Sequence, residues 1–188
     1  MTATQRYERY DGWAATVRQL VAARGPAALP IDDLRRDDLD QLMWAGGATH
    51  VMHVANELAR VGAGEVDYLT VRSPAGQPVA AGGVEFAIPP GTAKLMQLVT
   101  HPDIRSLGIG TQLITALEHR AVARAHDVVA LGVEVTNPRA QMLYQRLGYE
   151  EYGSEDTGWE QEDADGRVYW HATRCVLMHK ALKERRRR

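Results

Sequence analysis

The stretch "HPDIRSLGIGTQL", His101 to Leu113, decides how this chain is read. Arg105 is followed by Gly108 and Gly110, and an apolar helical pattern begins directly after them. The first turn of a helix carries unpaired N–H groups and a partial positive charge, and residues without a Cβ let an anion approach the backbone closely. Glycines in this place predict a phosphate site. Which phosphate compound binds is decided by what surrounds the turn.

Before the turn, "AKLMQLVT" reads as a strand. After it, Leu113, Leu117 and Ala121 recur every four residues with Ile114 and Val122 beside them, so an amphipathic helix follows. "DVVALGVEV" is then a nearly continuous apolar run, expected of a strand covered on both faces, and the strand, helix, strand order makes the two strands parallel. Asn137 is placed to cap a further helix with Pro138 at its first position, and Gly148 to end it.

Upstream, "GWAATVRQLVAARG" predicts a helix stopped by Gly25-Pro26. A short strand at Ile31 and two small helices broken at Gly46-Gly47 come next, the second carrying Val51, Ala55 and Leu58 on one face. "EVDYLTV" and "PVAAGGVEFAI" predict a hairpin across "RSPAGQ". "YEEYGSEDTGW" and "RVYWHATRCVLM" predict a second hairpin across "DADG".

Two phosphate-binding patterns fail. Gly108-Ile109-Gly110 supplies two glycines of G-x-G-x-x-G, and Glu134 ends the next strand. However, Leu113 stands at the third glycine, His101-Pro102-Asp103 separates the strand from the glycines, and a second strand, helix, strand half is missing. No G-x-x-x-x-G-K-[ST] is present. Arg105 to Gly110 instead fits R-x-x-G-x-G between a strand and a helix, followed by a parallel strand and "NPRAQMLYQRLGY".

In this combination the chain resembles the GCN5-related N-acetyltransferase (GNAT) family, from about Ile31 to Leu182 and most strongly over Leu95 to Tyr149. The resemblance implies an α/β fold with a mixed, mostly antiparallel twisted sheet, flanking helices, and parallel central strands that splay to admit the pantetheine arm of acetyl-CoA. It divides the chain into an N-terminal helical extension (1–30), the acetyltransferase domain (31–182) and a basic tail (183–188), to which no function is assigned.

The resemblance also implies the site residues. The cofactor would meet Leu98, Val99 and Thr100 on the fourth strand, Arg105, Ser106, Leu107, Gly108, Ile109, Gly110 and Thr111 in the turn, and Asn137 and Tyr144 on the later helix. A neutral amine would attack the thioester directly in a ternary complex, with a backbone N–H near Leu98 to Thr100 holding the oxyanion. Tyr144, two turns after Asn137, would protonate the departing thiolate, since a phenol and an alkyl thiol have similar acidities. Some relatives place a glutamate five residues before the asparagine, where this chain has Gly132. Glu134 is the first candidate base, with Glu85 and His101 as alternatives.

Composition sets the limits. With 22 basic and 24 acidic side chains the formal charge is −2, so no global field draws the protein to nucleic acid or to an anionic membrane. The single cysteine, Cys175, excludes an internal disulfide, reads as a buried strand residue, and fits a reducing, cytoplasmic setting. No metal is expected. The acceptor is a small-molecule or peptide amine, and a homodimer is among the partners the resemblance implies. Glu150 to Gly166 holds eight acids and no lysine or arginine. Two readings stand for that run: a hairpin kept soluble by its acids, or steering of a polycationic acceptor. A sensor or partner-binding module that keeps the acyl-CoA pocket without transfer is the rival to an enzyme.

Overall fold

Short β-rich runs alternate with turn chemistry along most of the chain, and they assemble into one seven-stranded sheet. The computed structural model describes residues 11–86 and 91–182; residues 87 and 88 of the third predicted strand and the basic tail lie outside them. The strands are β1 (Ile31–Asp33), β2 (Val66–Arg72), β3 (Pro78–Glu85), β4 (Thr92–Thr100), β5 (Val128–Glu134), β6 (Glu150–Glu162) and β7 (Val168–Ala181). Their spatial order is β1-β2-β3-β4-β5-β7-β6, with β4 and β5 parallel and every other pair antiparallel. The helices are α1 (Asp11–Arg24), α2 (Gly47–Val61), α3 (Ile109–Ala123) and α4 (Pro138–Arg146). The mixed sheet with flanking helices is the predicted fold.

Each face of the sheet has its own core. On one face Leu113, Ile114 and Leu117 of α3 pack with Leu95, Val129, Leu131 and Met178, and Trp13, Val17 and Val21 of α1 join them. On the other, Leu42 and Val54 pack with Val66, Tyr68 and Ala81. The first of the two small helices, Arg36–Ala45, is a 3-10 helix rather than an α-helix. Its start is fixed by Asp38, which accepts from the Arg35 N–H at 2.8 Å and takes both Arg72 terminal nitrogens at 2.9 Å. That guanidinium, more than any other contact, holds the Asp38 carboxyl below the usual carboxylate range.

Two irregularities open the sheet. The parallel pairing stops after Thr92↔Val128, Ala93↔Val129 and Lys94↔Ala130, so the later parts of β4 and β5 diverge. On its other side β4 carries a bulge: Ala81 pairs with Val99 and Gly83 with Met96, leaving Gln97 and Leu98 opposite Gly82. Gln97 takes φ 51° there, and its Oε1 accepts from the Tyr68 hydroxyl at 3.1 Å. A bulge of this kind bends a strand and re-aims its side chains.

The expectation that β5 is covered on both faces is corrected. Val129, Leu131 and Val133 are buried, but Gly132 between them is exposed, and Ala130 and Glu134 are only half-buried. The α3 side of β5 is covered, and the side of Ala130, Gly132 and Glu134 is left partly open. The run reads as continuously apolar because Ala130 and Gly132 count as apolar, although they face open space.

Candidate active site

The turn after β4 ends in the open first turn of a helix. His101, Pro102 and Asp103 lead into a left-handed Ser106 (φ 68°) and Gly108 (φ 81°), and α3 starts at Ile109. Gly108 O accepts from Gln112 N–H at 3.0 Å, so the N–H groups of Ile109, Gly110 and Thr111 belong to the unpaired first turn. A Cβ built on Gly110 would lie 3.4 Å from Thr100 Oγ1, at the limit of ordinary contact. Glycine there leaves the most room for an anion to approach these N–H groups.

The turn lines a cleft of about 920 Å³ that lies between the end of β4 and α4. Leu98, Val99 and Thr100 line it from β4; Arg105, Ser106, Gly108, Ile109, Gly110 and Thr111 from the turn; Asn137 from α4. Leu98 packs with the α3 core while Val99 packs with the α2 core, so the cleft has walls on both faces of the sheet. Of the predicted cofactor residues, Leu107 is not on its wall and packs instead against the α3 core.

Several lining residues are absent from the sequence reading. Trp44 and Ala45 come from the end of the 3-10 helix, and Arg139, Met142 and Arg146 from α4. Arg139 hydrogen-bonds the Ser106 hydroxyl. The two arginines stand seven residues apart, the interval that put Asn137 and Tyr144 on one face, so their position was legible in the same helical spacing. With Arg105, whose Nε donates to Thr100 O at 3.2 Å, they make the mouth of the cleft cationic although the chain as a whole is slightly acidic.

Tyr144 lies one layer deeper. It is 8% exposed, its ring meets Tyr149 edge-on at 5.7 Å, and it stands behind the lining formed by Ala140 and Leu143 of its own helix. Among the described residues its hydroxyl has no hydrogen-bond partner, whereas that of Tyr149 donates to Glu118 at 2.9 Å. Burial pushes the Tyr144 phenol up to about 12. Asn137 caps α4 as predicted, its side chain accepting from Ala140 N–H at 3.1 Å.

The three candidate bases separate cleanly. Glu85 is held by the Arg60 guanidinium at 2.5 Å, in a network with Glu57 and Glu65. His101 is buried between Trp13 (4.8 Å) and Trp44 (5.0 Å), accepts from Asp103 N–H at 3.3 Å, and is pushed below the usual imidazole value mainly by burial. Both are structural. Glu134 remains half-exposed at the end of β5, and its Oε2 lies 2.8 Å from His171 Nε2 of β7, a partner the sequence reading did not name.

Residues 67–149 match the model of the acetyltransferase (GNAT) family. Over that stretch, a little under half of the chain, the sequence is similar to a GNAT acetyltransferase domain. An uncharacterized N-acetyltransferase of Methanocaldococcus jannaschii is 41% identical over 59 residues, 31% of this chain and 26% of that protein. The chain thus spans about a quarter of the curated relative it matches. Among solved structures, a ribosomal-protein-alanine N-acetyltransferase of Brucella melitensis superposes with a TM-score of 0.64 at 19% identity, covering 82% of this chain and all of that one. A phosphinothricin acetyltransferase of Sinorhizobium meliloti, solved with acetyl-CoA, gives 0.62 at 17% identity over 83% of this chain and 89% of its own. At such identities these structures establish the GNAT fold.

α1 and the segment to Leu29 precede the matched region, and they pack against the turn. Arg18 donates from Nε to Asp103 O at 3.1 Å and from Nη2 to the same oxygen. Trp13 packs on His101, Pro26 Cγ would lie 3.2 Å from a Cβ on Gly108, and Leu29 O accepts from Gln112 Nε2 at 3.1 Å. Arg18→Ala should therefore loosen the turn without touching the chemistry. Loss of one such charged hydrogen bond, roughly 1 kcal/mol at an exposed position, predicts an acetyl-CoA KM raised about fivefold with kcat unchanged. Steady-state kinetics on the purified variant checks it.

Proposed function

We propose that the protein is an acetyl-CoA-dependent N-acetyltransferase that moves the acetyl group to a primary amine of a small molecule or peptide, by direct attack in a ternary complex. The observation that carries this reading is a cleft beside the part of β4 that has parted from β5, with the open first turn of α3 on its wall. On this reading the pyrophosphate lies against Ile109 to Thr111, with charge supplied by Arg105, Arg139 and Arg146, and the pantetheine follows the edge of β4. Beyond Lys94 that edge has no β5 partner, so its N–H groups are free to meet the pantetheine and the oxyanion. Residues for this purpose are Leu98, Val99 and Thr100.

An amine is mostly protonated at neutral pH and must lose a proton before it attacks. Glu134 is the carboxylate on the acceptor side of the gap between the parted strands, and Tyr144 is the acid for the departing thiolate. In water the two acidities, phenol and thiol, lie close together. Burial lifts the Tyr144 phenol to about 12, and burial raises a thiol in the same direction. The buried Cys175 thiol shows that direction, raised chiefly by desolvation. The cytoplasm, with its reduced thiols, suits both the chemistry and the free Cys175.

The acidic hairpin is partly used up by the fold. Glu162 accepts from Thr49 N–H at 3.1 Å at the start of α2, Asp163 accepts from the N–H groups of Asp165 and Arg167, and Asp156 is paired with Arg174. Glu155 and Glu160 are exposed and in no ion pair among the described residues. Steering of a polycationic acceptor would rest on such acids. A thiol-release screen over amino acids, polyamines, aminoglycosides and basic peptides, repeated at two salt concentrations, tests both points. We expect amine-dependent thiol release, and for the best polycation a kcat/KM that falls with salt. Glu155→Gln with Glu160→Gln should flatten that dependence. Binding of CoA with no release by any amine would make the protein a sensor.

A further inference from the structure

The open face of β5 carries a second chemical group. Register places Glu134 opposite Cys175, Cys175 opposite Glu155, and His171 opposite Trp159. His171 and Cys175 are four residues apart on β7, so Glu134, Cys175, His171, Trp159 and Glu155 share one face of the sheet with Gly132. A Cβ on Gly132 would lie 3.5 Å from that of Cys175 and 3.9 Å from Glu155 Oε1, which confirms the facing. The opposite face of the same strands, Leu131, Val133 and Met178, is buried against α3 and its neighbours. The tip of the β6–β7 arm reaches across to α2 through Glu162 and Thr49, so this side of the sheet is bounded by the arm.

Resting on the acetyltransferase reading, we propose that His171 receives the proton of the acceptor ammonium, with Glu134 as its positioning residue. Its side chain is 30% exposed, and Nε2 is committed to Glu134 Oε2 at 2.8 Å. A carboxylate partner fixes the hydrogen on Nε2 and leaves the Nδ1 lone pair free. The Trp159 ring, 5.1 Å away and tilted by 56°, and the Tyr169 ring at 6.5 Å hold the imidazole plane. Sequence distance hid the pair, since 37 residues separate Glu134 from His171.

The step balances as follows. The ammonium gives one proton to Nδ1, and His171 becomes an imidazolium next to the Glu134 carboxylate. The neutral amine attacks the thioester carbon, the C–S bond breaks, and the sulfur leaves with the electron pair and takes the Tyr144 proton. The amide nitrogen sheds its second proton to water, from which Tyr144 is restored, and His171 returns its own to solvent. The products are the acetylated amine, CoA thiol and one proton. Other titratable groups facing the pair are the Cys175 thiol, Glu155, Tyr169 and Lys94, the last acting on Cys175 from β4.

The test is kinetic, on the full chain, with the best amine from the screen. His171→Gln should lower kcat at neutral pH by roughly 10²-fold, leave the CoA dissociation constant unchanged, and recover as pH is raised until the amine is already neutral. A loss that stays constant with pH, or no loss at all, would overturn the proposal. Glu134→Gln is the second variant. Removing the carboxylate that orients the ring should lower kcat by roughly tenfold with CoA affinity unchanged, and the deficit should fade with rising pH as in His171→Gln. Unchanged kcat in Glu134→Gln, or a deficit that stays constant with pH, also overturns it. Wild-type protein that releases no thiol with any amine would overturn the transfer reading itself, whereas full activity in His171→Gln would overturn only the role of His171.

Discussion

Gly110→Val is expected to raise the dissociation constant for acetyl-CoA by roughly 10²-fold or more, without unfolding the protein. A valine here replaces a glycine in the first turn of α3, at a φ that any L-residue adopts, so the backbone accepts it. Its Cβ would stand 3.4 Å from Thr100 Oγ1, and its methyl groups would occupy the approach to the N–H groups of Ile109 to Thr111. Each charge-assisted hydrogen bond to phosphate contributes roughly 1.5–3 kcal/mol, and the loss of two is about 10²-fold or more in affinity. Gly108→Val is a poorer probe. Its φ of 81° and the 3.2 Å approach of Pro26 make any side chain there strained, so stability would fall together with binding. Calorimetric titration with CoA, beside a thermal melt, separates the two effects. Unchanged affinity in a folded Gly110→Val protein would move the cofactor to another surface.

What the sequence made legible was local. The turn, the cap by Asn137 and the stop at Gly148 each depend on a few consecutive residues, and each stands where it was expected. The two hairpins followed from turn chemistry, and the parallel pair from the strand, helix, strand order. What stayed hidden depends on register. Neither the parting of β4 from β5 after Lys94 nor the bulge at Gln97 and Leu98 is announced by a local signal. The pairing of Glu134 with His171 requires β7 to sit between β5 and β6 in one register among several. The acidic hairpin shows the same limit. Eight acids read as a uniform field, while folding hands Glu162 to α2, Asp163 to its own turn and Asp156 to Arg174.

Tyr144→Phe should lower kcat by roughly 10²- to 10⁴-fold, with CoA affinity and thermal stability little changed. The ring fills its place against Tyr149 in either form, and the hydroxyl has no hydrogen-bond partner among the described residues, so its removal strands no buried donor or acceptor. The phenol, pushed up to about 12 by burial, stays protonated through the whole working range. The variant should therefore lose rate by a constant factor from pH 6 to 9, in contrast to a variant of the base, whose deficit fades as the amine loses its own proton. An acceptor-independent readout sharpens the test. A thioester with a more acidic leaving thiol needs less help from a general acid, so Tyr144→Phe should be slowed less with it than with acetyl-CoA. If both donors lose the same factor, or neither loses any, Tyr144 is packing, and the thiolate leaves unassisted or takes its proton from water in the cleft.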